Sequence, residues 1–218
     1  LKNFQKEHNL TIFHLMGQHV NYKQRYRTKQ ARFWASSYED KRPELTNAQR
    51  KMLSHYDNAT LYNDSIVAQI VKRFQKQDAI VIYVPDHGEE CYEENRGFIC
   101  RNHSAEIDWP LAHYEFEIPF WIYCSPKYIR NHRDIYRQIR KAKDKRFMTD
   151  ALPHLLLYLA GIETPTYKEE YNILSPKYDE MRPRILKNSA DYDKLRDAHL
   201  EKIKKEESKK VKKKERRN

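Results

Sequence analysis

The chain has 218 residues, 39% of them hydrophobic and 33% charged, with a formal net charge of +11 and a mean hydropathy of −1.02. That length supports one α/β domain with a real core. No apolar run approaches the roughly 18 residues needed to span a bilayer, which excludes a bundle of membrane-spanning helices for these residues.

The chain begins at Leu1, not Met, a few residues before an apolar run, so it is expected to be a fragment whose upstream part has been removed. Leu10-Thr-Ile-Phe-His-Leu-Met16 predicts a buried first strand ending in Gly17-Gln18-His19. His14 lies within that strand, as a satisfied core histidine or a group that orients a site residue. His19 lies past its end, where a site residue would sit. Residues 27–46 predict a charged loop. Asn47 to Gln77 predicts a long helix capped by Asn47, with Met52, Tyr56, Ala59, Tyr62, Ile66, Ile70 and Phe74 recurring every three or four residues as an apolar stripe. Helical Asp57 and Asp64 read as exposed or locally bonded and are not candidate ligands.

The stretch around which the chain is organised follows: Asp78-Ala-Ile-Val-Ile-Tyr-Val-Pro-Asp-His-Gly-Glu89. Ala79 to Val84 has the composition of a strand buried on both faces. Pro85 keeps Val84 extended, and Gly88 lets the chain turn without a Cβ clash. Asp86 and His87 thus sit side by side past the carboxyl end of a buried strand, the edge where open α/β sheets bind ligands. A carboxylate oxygen beside an imidazole nitrogen suits a divalent transition metal, zinc first. The competing reading is an Asp cap and a His-Gly turn.

Residues 86–117 form a long connection without periodicity, holding Glu89, Glu90, Glu93, Glu94, His103, Asp108 and His113. Its length after a site strand suggests a wall of the site. Glu117 to Cys124 predicts another buried strand, Pro126 to Lys141 a charged surface helix, and Phe147 to Ala160 a buried helix closed by Gly161. Residues 164–190 read as coil, with Tyr171 to Leu174 a possible short edge. Asp191 onward predicts a helix fading into a tail, which divides the chain into a domain over 1–190 and a basic tail over 191–218. From Leu200 to Asn218 there are ten Lys and Arg against four Glu, a net of +6. A basic tail invites a nucleic-acid reading, but no nucleic-acid-binding motif accompanies it, so a solubilising terminus or a weak contact with anionic lipid is favoured. Cys91 and Cys100 flank a polar loop and could pair in an oxidising compartment, leaving Cys124 over. Alternating strands and helices imply a three-layer α/β/α sandwich with a mostly parallel sheet.

Five segments, in order and spacing, resemble one family. They are His14-Leu-Met-Gly-Gln-His19 with Tyr22 and Arg25-Tyr26; Tyr56-Asp-Asn-Ala-Thr-Leu-Tyr-Asn-Asp64; Asp86-His-Gly-Glu89; Ile118-Pro-Phe-Trp121; and Asp150-Ala-Leu-Pro-His154. The resemblance, over roughly residues 8 to 175, is to the membrane-anchored phosphoethanolamine transferases of the sulfatase and alkaline-phosphatase superfamily. It implies an alkaline-phosphatase-like fold, here incomplete at the N-terminus. It also implies zinc-dependent transfer of phosphoethanolamine from phosphatidylethanolamine to lipid A or another envelope glycan, through a covalent phospho-threonine. The family's location would be the inner membrane, held by N-terminal helices, with the catalytic domain facing the periplasm.

By the same resemblance Asp86 and His87 would be zinc ligands. His19 and His103, with His113 as the alternative to His103, would bind the transferred phosphoryl group or act as acid and base. Glu89 and His14 would orient the ligands. The family's nucleophilic threonine and a glutamate zinc ligand lie upstream of the first matching segment. None of Thr11, Thr28, Thr46, Thr60, Thr149, Thr164 or Thr166 has a matching context, so this chain alone is expected to bind zinc weakly and to transfer little or nothing. Rival readings are a sulfatase or phosphodiesterase-type hydrolase or a phosphoglycerol transferase of the same superfamily, and, from another class, a basic binding module.

Overall fold

The computed structural model describes residues 9–97, 99–102 and 106–215. In chain order the elements are helix α1 (Asn47–Phe74), strand β1 (Ile80–Tyr83), the two-residue strands β2 (Glu90–Cys91) and β3 (Ile99–Cys100), and helix α2 (Trp109–Leu111) running into a π-helical turn (Ala112–Phe116). Then come strand β4 (Trp121–Cys124), helices α3 (Pro126–Asn131), α4 (Arg133–Ala142) and α5 (Leu152–Ala160), strands β5 (Ile185–Leu186) and β6 (Ala190–Asp191), and helix α6 (Tyr192–Glu215), with 3₁₀ turns in the connections. They form two compact units, one of the residues up to Tyr83 with Trp121–Met181, the other of Val84–Phe120 with the residues from Arg182 onward.

The first unit is built on α1. Thr46, one residue before the expected cap, closes its N-terminus: Thr46 Oγ1 accepts from the Gln49 amide and the Gln49 side chain returns to the Thr46 backbone. The reciprocal pair satisfies two orphan donors, which a cap at Asn47 would not. The helix runs to Phe74, and its deepest residues are Leu53, Ser54, Asn58 and Ala59. Tyr22 is buried edge-on against Tyr56, centroids 5.3 Å apart. β1 pairs antiparallel with β4, Ile80 opposite Cys124 and Tyr83 opposite Trp121, and the last two rings stack at 5.3 Å. Ser125, fully buried, ties the pair's end: its hydroxyl donates to Gln77 O at 2.6 Å and accepts from Tyr128 N at 3.0 Å, capping α3. The charged surface helix expected over 126–141 is two helices meeting at His132. α5 closes on Gly161 at φ +65 as expected. Tyr171 to Leu174 is a 3₁₀ turn followed by buried Asn172, Ile173 and Leu174, not an edge strand.

Two expectations change here. Residues 10–16 form no strand, and Leu10 and Ile12 are exposed. A strand exists through its ladder partner, and no described segment pairs with this one. The mostly parallel sheet is likewise not among the pairings of the described residues: all three strand pairs are antiparallel and two-stranded. Parallel neighbours need a crossover that returns the chain to the same sheet end, commonly a helix. Between β1 and β4 the chain instead makes the excursion of residues 84–120. β1 is accordingly half-buried along its length, not buried on both faces.

The second unit has its own small core of Ile107, Leu111, Ala112 and Tyr192, covered by Trp109, Phe116, Leu186, Ala190 and Leu195. The long connection is thus structured by the C-terminal segment that packs on it. β5 and β6 form a tight hairpin whose turn carries Lys187 and Asn188 at positive φ. Tyr192, the first residue of α6, hydrogen-bonds the Glu117 carboxylate through its hydroxyl and carries the Arg184 guanidinium over its ring at 4.3 Å. Burial and the Glu117 carboxylate push the phenol up to about 12, so it remains a donor.

Candidate metal-binding and catalytic site

Asp86, His87 and Glu89 belong to the second unit, His14 and His19 to the first. His103 lies outside the described residues.

The Asp86-His-Gly-Glu89 segment is shaped by a backbone approach. The Gly88 amide donates to Glu115 O at 2.8 Å. A Cβ at Gly88 would stand 2.2 Å from Tyr114 O, inside any tolerable contact. Glycine is needed at position 88 for this close approach to the π-helical turn, not for a left-handed φ. The turn is anchored in return by Glu115, 3% exposed, whose carboxylate accepts from the Asn102 amide at 2.6 Å. Strand β2 begins at Glu90, which is fully buried and bridged by Arg96 through Nε at 2.7 Å and Nη2 at 3.2 Å. Arg96 Nη1 reaches Asp108 at 2.7 Å, and Asp108 caps α2 through Leu111 N at 3.0 Å. Burial raises the Glu90 carboxyl above its usual value, against the opposing pull of Arg96. This Glu90–Arg96–Asp108 brace is absent from any sequence-level site expectation. Its only signal was three charges in a stretch without periodicity.

His87 Nδ1 lies 2.7 Å from Gly88 O. A carbonyl only accepts, so Nδ1 carries the proton and Nε2 presents its lone pair, the tautomer of a metal-ligating histidine held by a backbone carbonyl. Asp86 Oδ1 lies 3.8 Å from that Nε2, and the Asp86 carboxylate is 86% exposed. The same nitrogen accepts from Arg101 Nη1, so a cationic group already faces it. In donor type and tautomer the pair fits a zinc ion, supplying one nitrogen and one oxygen of a four-coordinate site. In number the pair is short. No group of three or more His, Cys, Asp or Glu suited to a metal occurs among the described residues.

His19 closes a turn through its amide to Met16 O at 3.1 Å, with Gly17 at φ +49. Its Nδ1 lies 2.7 Å from Val20 O, again leaving Nε2 outward on an exposed ring. Arg25 locks the turn, donating to His19 O at 2.7 Å and Val20 O at 2.8 Å. His14 is exposed. His113 is stacked on Trp109 at 5.3 Å with Nδ1 2.9 Å from Glu117 Oε1. Asp64 is exposed, as expected, whereas Asp57 is half-buried and accepts the hydroxyl of Tyr38, nineteen residues away. Cys91, Cys100 and Cys124 are free thiols. Glu90 faces Cys100 across the hairpin and Cys91 faces Ile99, so Cys91 and Cys100 point to opposite faces. Pairing them would take a register slip.

Comparison with known proteins gives these segments a context. Phosphoethanolamine transferase EptC of Escherichia coli (strain K12) is 32% identical over 190 residues, covering 83% of this chain and 31% of the relative. The Kdo(2)-lipid A phosphoethanolamine 7''-transferase of the same organism is 31% identical over 141 residues, covering 63% of this chain and 23% of the relative. The crystal structure of the C-terminal periplasmic domain of E. coli EptC, in complex with Zn, superposes with a TM-score of 0.65 at 28% identity, over 82% of this chain and 50% of that one. The chain therefore spans less than a third of the curated relatives it matches and half of the solved domain. The sulfatase family model matches residues 1–162, and the chain belongs to the sulfatase family.

Proposed function

We propose that this chain is part of an enzyme that transfers phosphoethanolamine from phosphatidylethanolamine to lipid A or another envelope glycan, at the periplasmic face of the inner membrane. The observation that carries the reading is the Asp86–His87 pair with its proton fixed on Nδ1, in a chain 32% identical to a phosphoethanolamine transferase over 83% of its length. Asp86 and His87 would hold a zinc ion with ligands from elsewhere in the longer protein. When bound, that ion lowers the pKa of a coordinated hydroxyl and polarises phosphoryl oxygens. Gly88 and Glu115 keep His87 in register with the turn that supports it. Glu89, two residues on, is assigned to orienting the ligands, as is His14.

His19 in its imidazolium form offers Nε2–H to a phosphoryl oxygen while Nδ1–H stays on Val20 O, and His103 is assigned the matching role. The nucleophile is assigned to a threonine outside the matching segments of this chain. It would form a phospho-threonine that the acceptor's hydroxyl or phosphate then attacks. Membrane anchoring is assigned to helices outside these residues. The mostly parallel sandwich is assigned to the complete domain, of which β1 and β4 would be part.

The test is a chimera in which this chain replaces the corresponding stretch of E. coli EptC. Phosphatidylethanolamine labelled in its headgroup should lose that label to the glycolipid acceptor, with diacylglycerol released in equal amount, and His87→Ala should abolish both. Diacylglycerol accompanied by free phosphoethanolamine and an unmodified acceptor would instead assign the chain to the hydrolases of the family.

A further inference from the structure

Helix α6 has two parts. Its first two turns are clamped to the second unit: Tyr192 on Glu117, Asp193 paired with Arg184 at 2.6 Å, Leu195 on the core and His199 stacked on Trp109 at 5.1 Å. From Glu201 to Lys210 every residue is exposed. The helix continues to Glu215, so about 24 Å of it, at roughly 1.5 Å per residue, extends past the clamp. From Leu200 to Glu215 this extension carries eight lysines against four glutamates, a net of +4.

The charge is arranged. Lys202, Lys205 and Lys209, three and four residues apart, fall on one side of the helix, and the sequence continues that spacing with Lys212 and Lys213. Leu200 and Ile203 share the opposite side with Lys204 and Glu207, so the apolar surface there is too small and too interrupted by charge to insert beneath headgroups. From Leu200 on there is no aromatic residue, so nothing is available to stack on bases. Eight of the ten cations are lysine, a hydrated point charge suited to a diffuse anionic surface more than to bidentate recognition.

We propose that the α6 extension is an electrostatic contact with a bilayer surface containing anionic phospholipid, its Lys202–Lys205–Lys209 side laid against the headgroups. The contact rests on the reading above in one respect, that a phospholipid donor places the protein at a bilayer. It would hold the second unit, and with it Asp86 and His87, close to that surface without insertion.

The experiment is co-sedimentation of the 218-residue chain with phosphatidylcholine vesicles, with and without a third of the lipid as phosphatidylglycerol, at roughly 0.05 and 0.5 M salt. Screening over that range shortens the reach of surface charge about threefold. The expected result is binding to the acidic vesicles alone, lost at high salt. It should weaken at least tenfold in the triple variant Lys202→Glu, Lys205→Glu, Lys209→Glu, since each lysine near an anionic surface contributes close to a factor of five. A control triple with the same charge change at exposed Lys127, Lys141 and Lys143 should bind within about twofold of the wild type. All three substituted α6 positions are exposed, and circular dichroism checks that both triples fold. Equal loss in both triples, undiminished binding by the α6 triple, or tighter binding of duplex DNA than of acidic vesicles would each overturn the proposal. The readout involves no turnover, so its failure leaves the transferase reading to the chimera assay, and the reverse.

Discussion

Asn58 and Glu90 are both enclosed polar side chains, 3% and 0% exposed, and each fixes an irregular stretch, one in each unit. Asn58, on α1, uses its amide fully. Oδ1 accepts from Arg32 N at 2.6 Å and Phe33 N at 3.1 Å, and Nδ2 donates to Phe33 O and Ser54 O, both at 2.8 Å. Glu90 does the comparable work with a charge, through the Arg96 fork that reaches on to Asp108. A neutral amide with matched donors and acceptors leaves nothing for pH to change. A buried carboxylate must offset its own desolvation. The first unit should therefore lose most when a partner is deleted, and the second should respond to protonation as well.

The largest effect expected is Asn58→Ala. It strands two amides and a carbonyl of the 32–33 segment, and at about 1–3 kcal/mol per stranded group, partly relieved by water, urea denaturation should show a loss of about 3 kcal/mol. A loss under about 1 kcal/mol would remove the contrast.

Gly88→Ala comes next. The new methyl meets a backbone oxygen at 2.2 Å, which no rotamer relieves, so about 2–3 kcal/mol is expected. Zinc affinity, read by titration, should fall with it, because the Gly88 carbonyl holds the His87 ring. Gly97→Ala sharpens the point. Nothing lies within 4 Å of its Cβ position, but φ is +68, so only the left-handed backbone penalises alanine, by about 1 kcal/mol. That change should leave zinc titration untouched.

Glu90→Gln should cost less, about 1–2 kcal/mol, because Arg96 keeps Asp108 and is partly solvated. Its signature is pH. Burial raises the Glu90 carboxyl above its ordinary 4.5, so the folded state holds that proton more tightly than the unfolded chain. The associated stability is fully present below the ordinary value and is lost as pH rises through the raised one. Unfolding free energies of wild type and Glu90→Gln should therefore converge toward high pH less than toward low pH when Arg96→Met is added, since the unpaired carboxylate then meets the full desolvation cost. Parallel curves in both backgrounds would mean Glu90 does not titrate in this range.

How much of this was legible follows from the range of each determinant. α1 was readable because its signal is local: a 3.6-residue stripe and a Thr46–Gln49 capping box, misassigned by one residue only because Asn47 is itself a good cap. Gly161 was readable for the same reason. The strand at residues 10–16 was not, because β-rich composition describes a side chain's preference while a strand needs a partner. Residues 86–117 were opaque because Glu90, Arg96 and Asp108 brace one another in space, and Glu115 holds Asn102 and Gly88, without sequence periodicity. The core under them also comes from Tyr192 and Leu195, far along the chain. The need for Gly88 was visible, but its reason, a carbonyl of residue 114, was not.

The smallest effect is expected at His55. In the first unit the Tyr26 hydroxyl lies 2.9 Å from His55 Nδ1. Burial first, then the charges of Lys23 and Lys51, hold the His55 imidazole below its ordinary 6.5. The folded chain then binds that proton less readily than the unfolded one, so the stability it contributes is present above the ordinary value and lost as pH falls through the depressed one. Protonation would also turn Nδ1 into a donor facing the tyrosine, forcing the hydroxyl to accept. His55→Gln should remove this loss, so the stability difference between wild type and variant should shrink steadily on acidification from pH 7. Acid thus weakens the first unit through His55 and relieves the second through Glu90. Amide exchange followed separately in α1 and in β2–β3 should show protection moving in opposite directions. Protection that moves together in both segments would mean that the two units unfold as one and that the contrast between their buried groups is not felt locally.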